Sequence, residues 1–163
     1  MTVIIDGTAG ITFPVTAGSA SAVQASSGRV LQVVNATTTA AISTSSTTFV
    51  TTSFSVSITP SSSSNKVFVL VNGGGGYNAG AGPSLWATIY RGSTNLGDAN
   101  YGFQRIFAGS SAIMVPYSMA ALDSPATTSS TTYTCYFRAS SGTVDFSNTD
   151  RGIISFTAME IAA

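Results

Sequence analysis

Beyond residue 28 the chain repeatedly alternates apolar and polar positions with the period of two that sends one side of an extended strand into a core. Phe49 and the stretch Phe54-Ser-Val56-Ser-Ile58 read as one half-buried strand. Residues 66–72 (KVFVLVN) and 152–161 carry apolar side chains on both faces, the second through Ile153, Ile154, Phe156, Met159 and Ile161. That pattern predicts strands covered from both sides. Further strands are expected at 29–35, 84–91, 101–107, 112–122, 131–138 and 143–146. Turn chemistry separates them at Pro60-Ser-Ser-Ser-Ser-Asn65, Gly73 to Gly76, Arg91-Gly-Ser93, Ser124-Pro125 and Ser141-Gly142. No stretch has the period of an amphipathic helix, and no fixed repeat suggests a propeller or solenoid. Roughly eight or nine short strands without interleaved helices predict an all-β protein, an antiparallel β-sandwich or jelly roll.

Residues 1–28 differ from the remainder. Two short β-like pieces at 2–5 and 11–15 flank Asp6-Gly7 and Gly10, and 17–28 is small, polar and nearly devoid of packing groups. Such a segment cannot build a core of its own. It reads either as an extended attachment arm for a 29–163 domain or as a frayed terminus with a linker. The start lacks the basic residues and unbroken apolar run of a secretory signal, and no stretch reaches the roughly 18 apolar residues of a membrane-spanning helix. The expectation is a protein made in a cytoplasm, without membrane insertion.

Composition narrows the chemistry. Of 163 residues 44% are hydrophobic and only 7% charged, against about 25% charged in an average soluble protein. Ser and Thr, about 30% of the chain, take over the task of wetting the surface. Six basic and six acidic residues cancel to a net charge of zero, which removes the electrostatic footing for nucleic-acid binding. There is no histidine, and Cys135, Lys66 and Glu160 are the only residues of their kinds. Ser-His-Asp and Cys-His chemistry lack their proton acceptor, and a zinc site lacks its usual ligands. One cysteine excludes a disulfide within the chain. The expectation is a protein without catalytic residues, metal or cofactor; glycoside hydrolysis would need two facing acids that the sequence does not advertise.

The motifs that remain have plain readings. Gly73 to Gly82 contains a loose G-x-G-x-x-A, but Pro83 and a second β pattern follow where a phosphate site needs a helix. A hairpin tip is the expectation. Asp145-Phe-Ser-Asn-Thr-Asp150 lacks the alternating acids and closing Glu of a calcium loop, so its acids are expected to bond their own backbone in a turn, with Asp6, Asp98 and Asp123 in similar loops. Tyr77, Trp86, Tyr90, Tyr101, Phe103 and Tyr117 could form a stacking platform for sugars, against their ordinary use as core and cross-strand partners. Arg91, Arg105, Arg138 and Arg151 look too scattered for a phosphate-tracking patch. Asn35-Ala-Thr37 matches the glycosylation sequon by chance.

Five segments in order, Arg29-Val-Leu-Gln-Val-Val-Asn-Ala-Thr, Ser45-Ser-Thr-Thr-Phe-Val, Ser55-Val-Ser-Ile-Thr-Pro-Ser-Ser-Ser-Ser-Asn-Lys-Val, Leu85-Trp-Ala-Thr-Ile-Tyr-Arg-Gly-Ser-Thr and Phe156-Thr-Ala-Met-Glu-Ile-Ala, resemble a family of small tail-fibre or other virion structural proteins of bacteriophages, especially those of aquatic bacteria. Gly10-Ile-Thr-Phe-Pro with its small-residue link is similar to that family's N-terminal attachment segment. The resemblance implies a homotrimeric knob, similar in plan to tumour-necrosis-factor-like jelly rolls, with the last strand near the threefold axis. It implies location in the virion, contact with other virion proteins through residues 1–28, and contact with a host-surface glycan. The glycine-rich run at 73–82 departs from the family pattern, and no ligand-binding residue is carried over. A capsid decoration (cement) or head-fibre protein, and a free carbohydrate-binding module, are the competing readings.

Overall fold

The computed structural model describes residues 27–78, 82–107, 109 and 111–163, together with the backbone of 4–6 and 10–12. Of the expected arm, residues 13–26 lie outside the described residues, as do 79–81 at the end of the glycine-rich run. β1 (Ile4–Asp6) and β2 (Gly10–Thr12) pair with each other as a two-stranded hairpin.

The remaining strands are β3 (Val30–Thr38), β4 (Ile42–Thr44), β5 (Val50–Ile58), β6 (Lys66–Asn78), β7 (Ser84–Arg91), β8 (Thr94–Asn95), β9 (Gln104–Phe107), β10 (Ile113–Asp123), β11 (Thr131–Ala139), β12 (Val144–Ser147) and β13 (Ile154–Ile161). They form two antiparallel sheets. In the first, the order is β3-β13-β6-β10, with β12 and β4 continuing beside the far half of β6. In the second, the order is β5-β11-β7, with β8 and β9 both on the free edge of β7. The strands β3, β5, β6, β7, β9, β10, β11 and β13 fall in sheets one, two, one, two, two, one, two and one. That order is the jelly-roll winding of two Greek keys. The expected all-β sandwich is therefore the observed fold.

Alternation decides which side of each strand meets the core. Val67, Val69 and Val71 of β6, Ile154, Phe156 and Ala158 of β13, and Tyr133, Cys135 and Phe137 of β11 point between the sheets. Tyr117 stacks on Phe146 at 4.6 Å and Phe54 tilts against Phe156 at 5.8 Å, so rings fill the gap between the layers. β5 bulges where Ser53 takes a positive φ of 60°, and the Thr52 hydroxyl donates to the Cys135 carbonyl at 2.7 Å. Three residues of β5, 52–54, stand opposite Cys135 alone, and because two residues are extra the inward set Thr52, Phe54, Val56 and Ile58 continues unbroken.

Two expectations are corrected. The glycines at 73–76 are not a hairpin tip but the middle of β6, paired with β10 along one edge. They are glycines because neighbouring side chains occupy the space a Cβ would need. At Gly76 a Cβ would lie 2.5 Å from the Ile106 side chain and 2.6 Å from the Tyr117 hydroxyl. At Gly73, where φ is +82°, it would meet the Ile153 carbonyl at 2.6 Å. Gly76→Ala is accordingly expected to cost about 1–3 kcal/mol through overpacking, read as a lower urea midpoint with an unchanged slope. An unchanged midpoint would show that the Tyr117 ring moves aside freely.

The second correction concerns strands expected to be covered on both faces. β6 is central, but Phe68 and Leu70 on its outer side are only half-buried, as are Met159 and Ile161 of β13. Ile153 lies outside the strand and is 60% exposed. Among the described residues no element packs across that second face.

Candidate functional site

The outer face of the second sheet gathers chemistry that the sequence keeps apart. Register places Arg138 of β11, Trp86 of β7 and Arg105 of β9 side by side, all pointing outward. The Arg138 guanidinium sits over the Trp86 ring at 4.0 Å and over Phe49 at 5.4 Å. The Arg105 guanidinium lies 5.6 Å from Trp86 and 4.8 Å from Phe107. The result is a row of alternating rings and cations, Phe49, Arg138, Trp86, Arg105 and Phe107. Each such contact contributes about 0.5–2 kcal/mol, more where water is excluded.

Arg138 is positioned by carbonyls. Its Nε and Nη2 donate to Asn100 O and its Nη1 to Thr47 O at 3.1 Å, so one side chain ties two loops together. Arg105 donates from Nε to the Ser84 hydroxyl at 3.0 Å. Beside Arg138 a cleft of about 400 Å³ opens between those loops, with Thr47, Thr48, Phe49, Tyr90 and Asn100 in its walls. Tyr90 is held by stacking on Tyr136 at 4.0 Å. The loop carrying Asn100 is fixed from within, because Asp98 Oδ1 accepts the backbone N–H groups of Asn100 and Tyr101 at 2.8 and 2.7 Å. The indole N–H of Trp86 is buried and has no hydrogen-bond partner among the described residues.

The aromatic group singled out in the sequence therefore divides. Trp86, Tyr90 and Tyr101 belong to this face, with Trp86 and Tyr101 tilted at 6.4 Å. Tyr117 is core, 2% exposed, and burial pushes its hydroxyl well above the usual tyrosine range. Phe103 packs against the core, and Tyr77 lies on the other sheet beneath Arg151 at 4.1 Å. The arginines divide too, so they are not uniformly scattered. Arg91 pairs with Asp123 at 2.9 Å and Arg151 with Asp145 at 2.7 Å, whereas Arg105 and Arg138 converge on one tryptophan. Asp145 is thus a strand residue in an ion pair, not a turn acid; in that turn it is Asn148 that accepts the Thr149 N–H. The sequon Asn35 donates its amide to Ser155 Oγ and Thr157 Oγ1, tying β3 to β13.

Two further places carry polar or apolar groups out of the ordinary. Glu160, on the inner side of β13, is 1% exposed. Its Oε1 accepts from Asn65 Nδ2, Ser61 N and Ser61 Oγ, and its Oε2 from Gln32 Nε2, at 2.6–2.7 Å. Burial alone would raise this carboxyl, but the hydrogen bonds outweigh it and hold it at about 2 against an ordinary 4.5. Cys135 is the opposite case: burial pushes its thiol far up, which leaves it unreactive. Among the described residues no three metal-ligating side chains come together.

The last place is the outer face of the first sheet. Register aligns Val33, Met159, Phe68 and Leu122 in one row across four strands, with Val33 and Leu122 each 56% exposed. Asn35, Thr157, Leu70 and Ala120 form the next row, and Ile161 lies beside Lys66 at the edge. Lys66 is the only charged residue in these rows. A second, mostly apolar cleft of about 430 Å³ adjoins them, lined by Lys66, Leu122, Ile161 and the chain end at Ala163.

No protein-family model matches the sequence, and no curated protein matches it. Among solved structures the chain is similar to infectious bursal disease virus, Gx strain, with a TM-score of 0.41 and 15% identity over 84% of this chain and 38% of that one. It is similar to the Gt strain with a TM-score of 0.39 and 16% identity over 85% and 39%. It is similar to the VP2 subviral particle of that virus with a TM-score of 0.40 and 13% identity over 83% and 40%. The chain spans less than half the length of each of these proteins. The likeness is distant, and no property of those particles is carried over from it.

Proposed function

We propose that this chain is a non-enzymatic virion structural protein, a homotrimeric fibre or spike knob that assembles through the outer face of β3-β13-β6-β10, attaches to other virion proteins by residues 1–28, and meets a host-surface glycan with the opposite sheet. The observation that carries the reading is the uncovered apolar row Val33, Met159, Phe68, Leu122. An apolar row running across four strands is costly to leave in water and marks an interaction surface. Its occupant is a second copy of the same chain, because the rows carry a single charge, so identical faces meet with little repulsion. The sequence supports the same view, since β6 and β13 are written as strands covered on both sides and the described residues cover one. The number three comes from the family resemblance, which places the last strand, β13, at the axis.

Particles carrying the protein, labelled with antibody-bound gold and viewed by electron microscopy, test location and attachment together. Label is expected at fibre or spike tips, and a chain lacking residues 1–28 is expected to leave the particles unlabelled while remaining folded. Label spread over the head would replace the knob with a capsid decoration role. Label retained without residues 1–28 would contradict the anchoring role of that segment.

A further inference from the structure

We propose that the cleft beside Arg138 binds an acidic saccharide, a sugar bearing a carboxylate, with Arg138 as the charge partner and Phe49 and Tyr90 as the stacking surfaces. The inference rests on the glycan-recognition part of the functional reading and names the class of glycan.

Charge is the first argument. In a chain with 7% charged residues, each cation needs an explanation. Arg91 and Arg151 are neutralised by Asp123 and Asp145. Arg105 and Arg138 have no carboxylate within ion-pair distance among the described residues, yet both lean on one tryptophan. Backbone carbonyls fix Arg138 in place but leave its positive charge uncompensated. Carbonyls take up only part of its donor capacity, since a guanidinium carries five N–H groups. Asp98, in the loop that carries Asn100, is occupied through Oδ1 with the backbone of its own loop.

The walls supply the second argument. A pyranose ring offers an apolar C–H face and a rim of hydroxyls, so a site for it combines aromatic surface with short polar groups. Phe49 and Tyr90 provide the first, and Thr47, Thr48 and Asn100 the second. A volume of about 400 Å³ lies within the range of small-ligand clefts. Position is the third argument. The cleft belongs to β5-β11-β7, the sheet opposite the proposed assembly face, and stays open when copies meet through the other sheet.

The test titrates the full chain with 3′-sialyllactose and tri-galacturonic acid, with the neutral sugars lactose and maltotriose, and with inorganic phosphate, at low and high salt. The acidic sugars are expected to bind at least tenfold more tightly than the neutral ones and to weaken as salt rises. Arg138→Gln is expected to abolish that preference and Arg138→Lys to retain part of it; Tyr90→Phe, which keeps the ring, should lose only a few-fold. The wild-type comparison needs no variant and decides the matter if Arg138→Gln fails to fold. Equal binding of neutral and acidic sugars would overturn the acidic class while leaving glycan recognition standing. Phosphate competing as well as the acidic sugars would reduce the cleft to a simple anion site. Binding of no sugar by a protein that is nonetheless located at fibre tips would remove glycan recognition and leave the structural role untouched.

Discussion

Leu122→Asp is expected to turn the assembled protein into a folded monomer. In the single chain Leu122 is more than half exposed on the outer side of β10, so its loss costs the sandwich little, within about 0.5 kcal/mol. Against a second copy the same position lies in the apolar row with Val33, Met159 and Phe68. A carboxylate there has to be stripped of water in every subunit at once, with Lys66 at the edge of the same cleft as the one cation near it. Desolvating an interfacial charge costs on the order of 2–5 kcal/mol, and a closed ring of subunits bears it at each contact. The measurement is the mass by light scattering beside the far-ultraviolet circular dichroism. The expected result is the β spectrum of the parent at a third of its mass. A variant that keeps the parent mass would show that the interface lies elsewhere.

Glu160→Ala is expected to lower stability by about 3–5 kcal/mol, a fall in Tm on the order of 10 °C. The carboxylate accepts four hydrogen bonds that tie β3, the 59–65 connection and β13 to one point. Removal leaves the Ser61 N–H and one N–H each of Asn65 and Gln32 against a neutral methyl, while Asn65 keeps Ser61 Oγ and Gln32 keeps the Thr59 carbonyl. Glu160→Gln should recover only part of the loss, because its amide presents donors where donors already converge. The same group sets an acid limit. Its folded value of about 2 lies below the unfolded 4.5, so the unfolded chain takes up the proton first. Its contribution is complete above pH 4.5 and is lost as pH falls toward 2. Denaturation followed by urea at pH 7, 4 and 2.5 should show the parent weakening toward acid and the Glu160→Ala protein weakening less. Parallel decline of the two proteins would assign the acid sensitivity to other carboxylates.

The strands were legible because their information is local. The runs at 84–91 and 131–138 mark β7 and β11 to within one residue, whereas 54–58 and 66–72 mark only part of β5 and β6. β4 and β8, of three and two residues, are too short to carry a period and went unseen. The glycines of β6 misled for a different reason: a glycine required by a turn and one required by the side chains of Ile106, Met114, Tyr117 and Ile154 look the same in one dimension. The candidate site is legible only in part. Six aromatic residues leave a stacking platform and core packing both open, and although Trp86, Tyr90 and Tyr101 share one face, Arg138 stands 52 positions from Trp86 and Arg105 belongs to a third strand. Only the register of the second sheet makes them neighbours. Glu160 was conspicuous as the lone glutamate, while its partner Gln32 lies 128 residues away.

The central claim is that the outer face of β3-β13-β6-β10 is closed by copies of the same chain. Light scattering on a sizing column, applied to the unmodified full-length protein across a hundredfold range of concentration, tests it most directly. The account predicts a constant mass of about 50 kDa, three chains of 16.5 kDa. A constant mass of 16.5 kDa, with Val33 and Leu122 left in water, would contradict it.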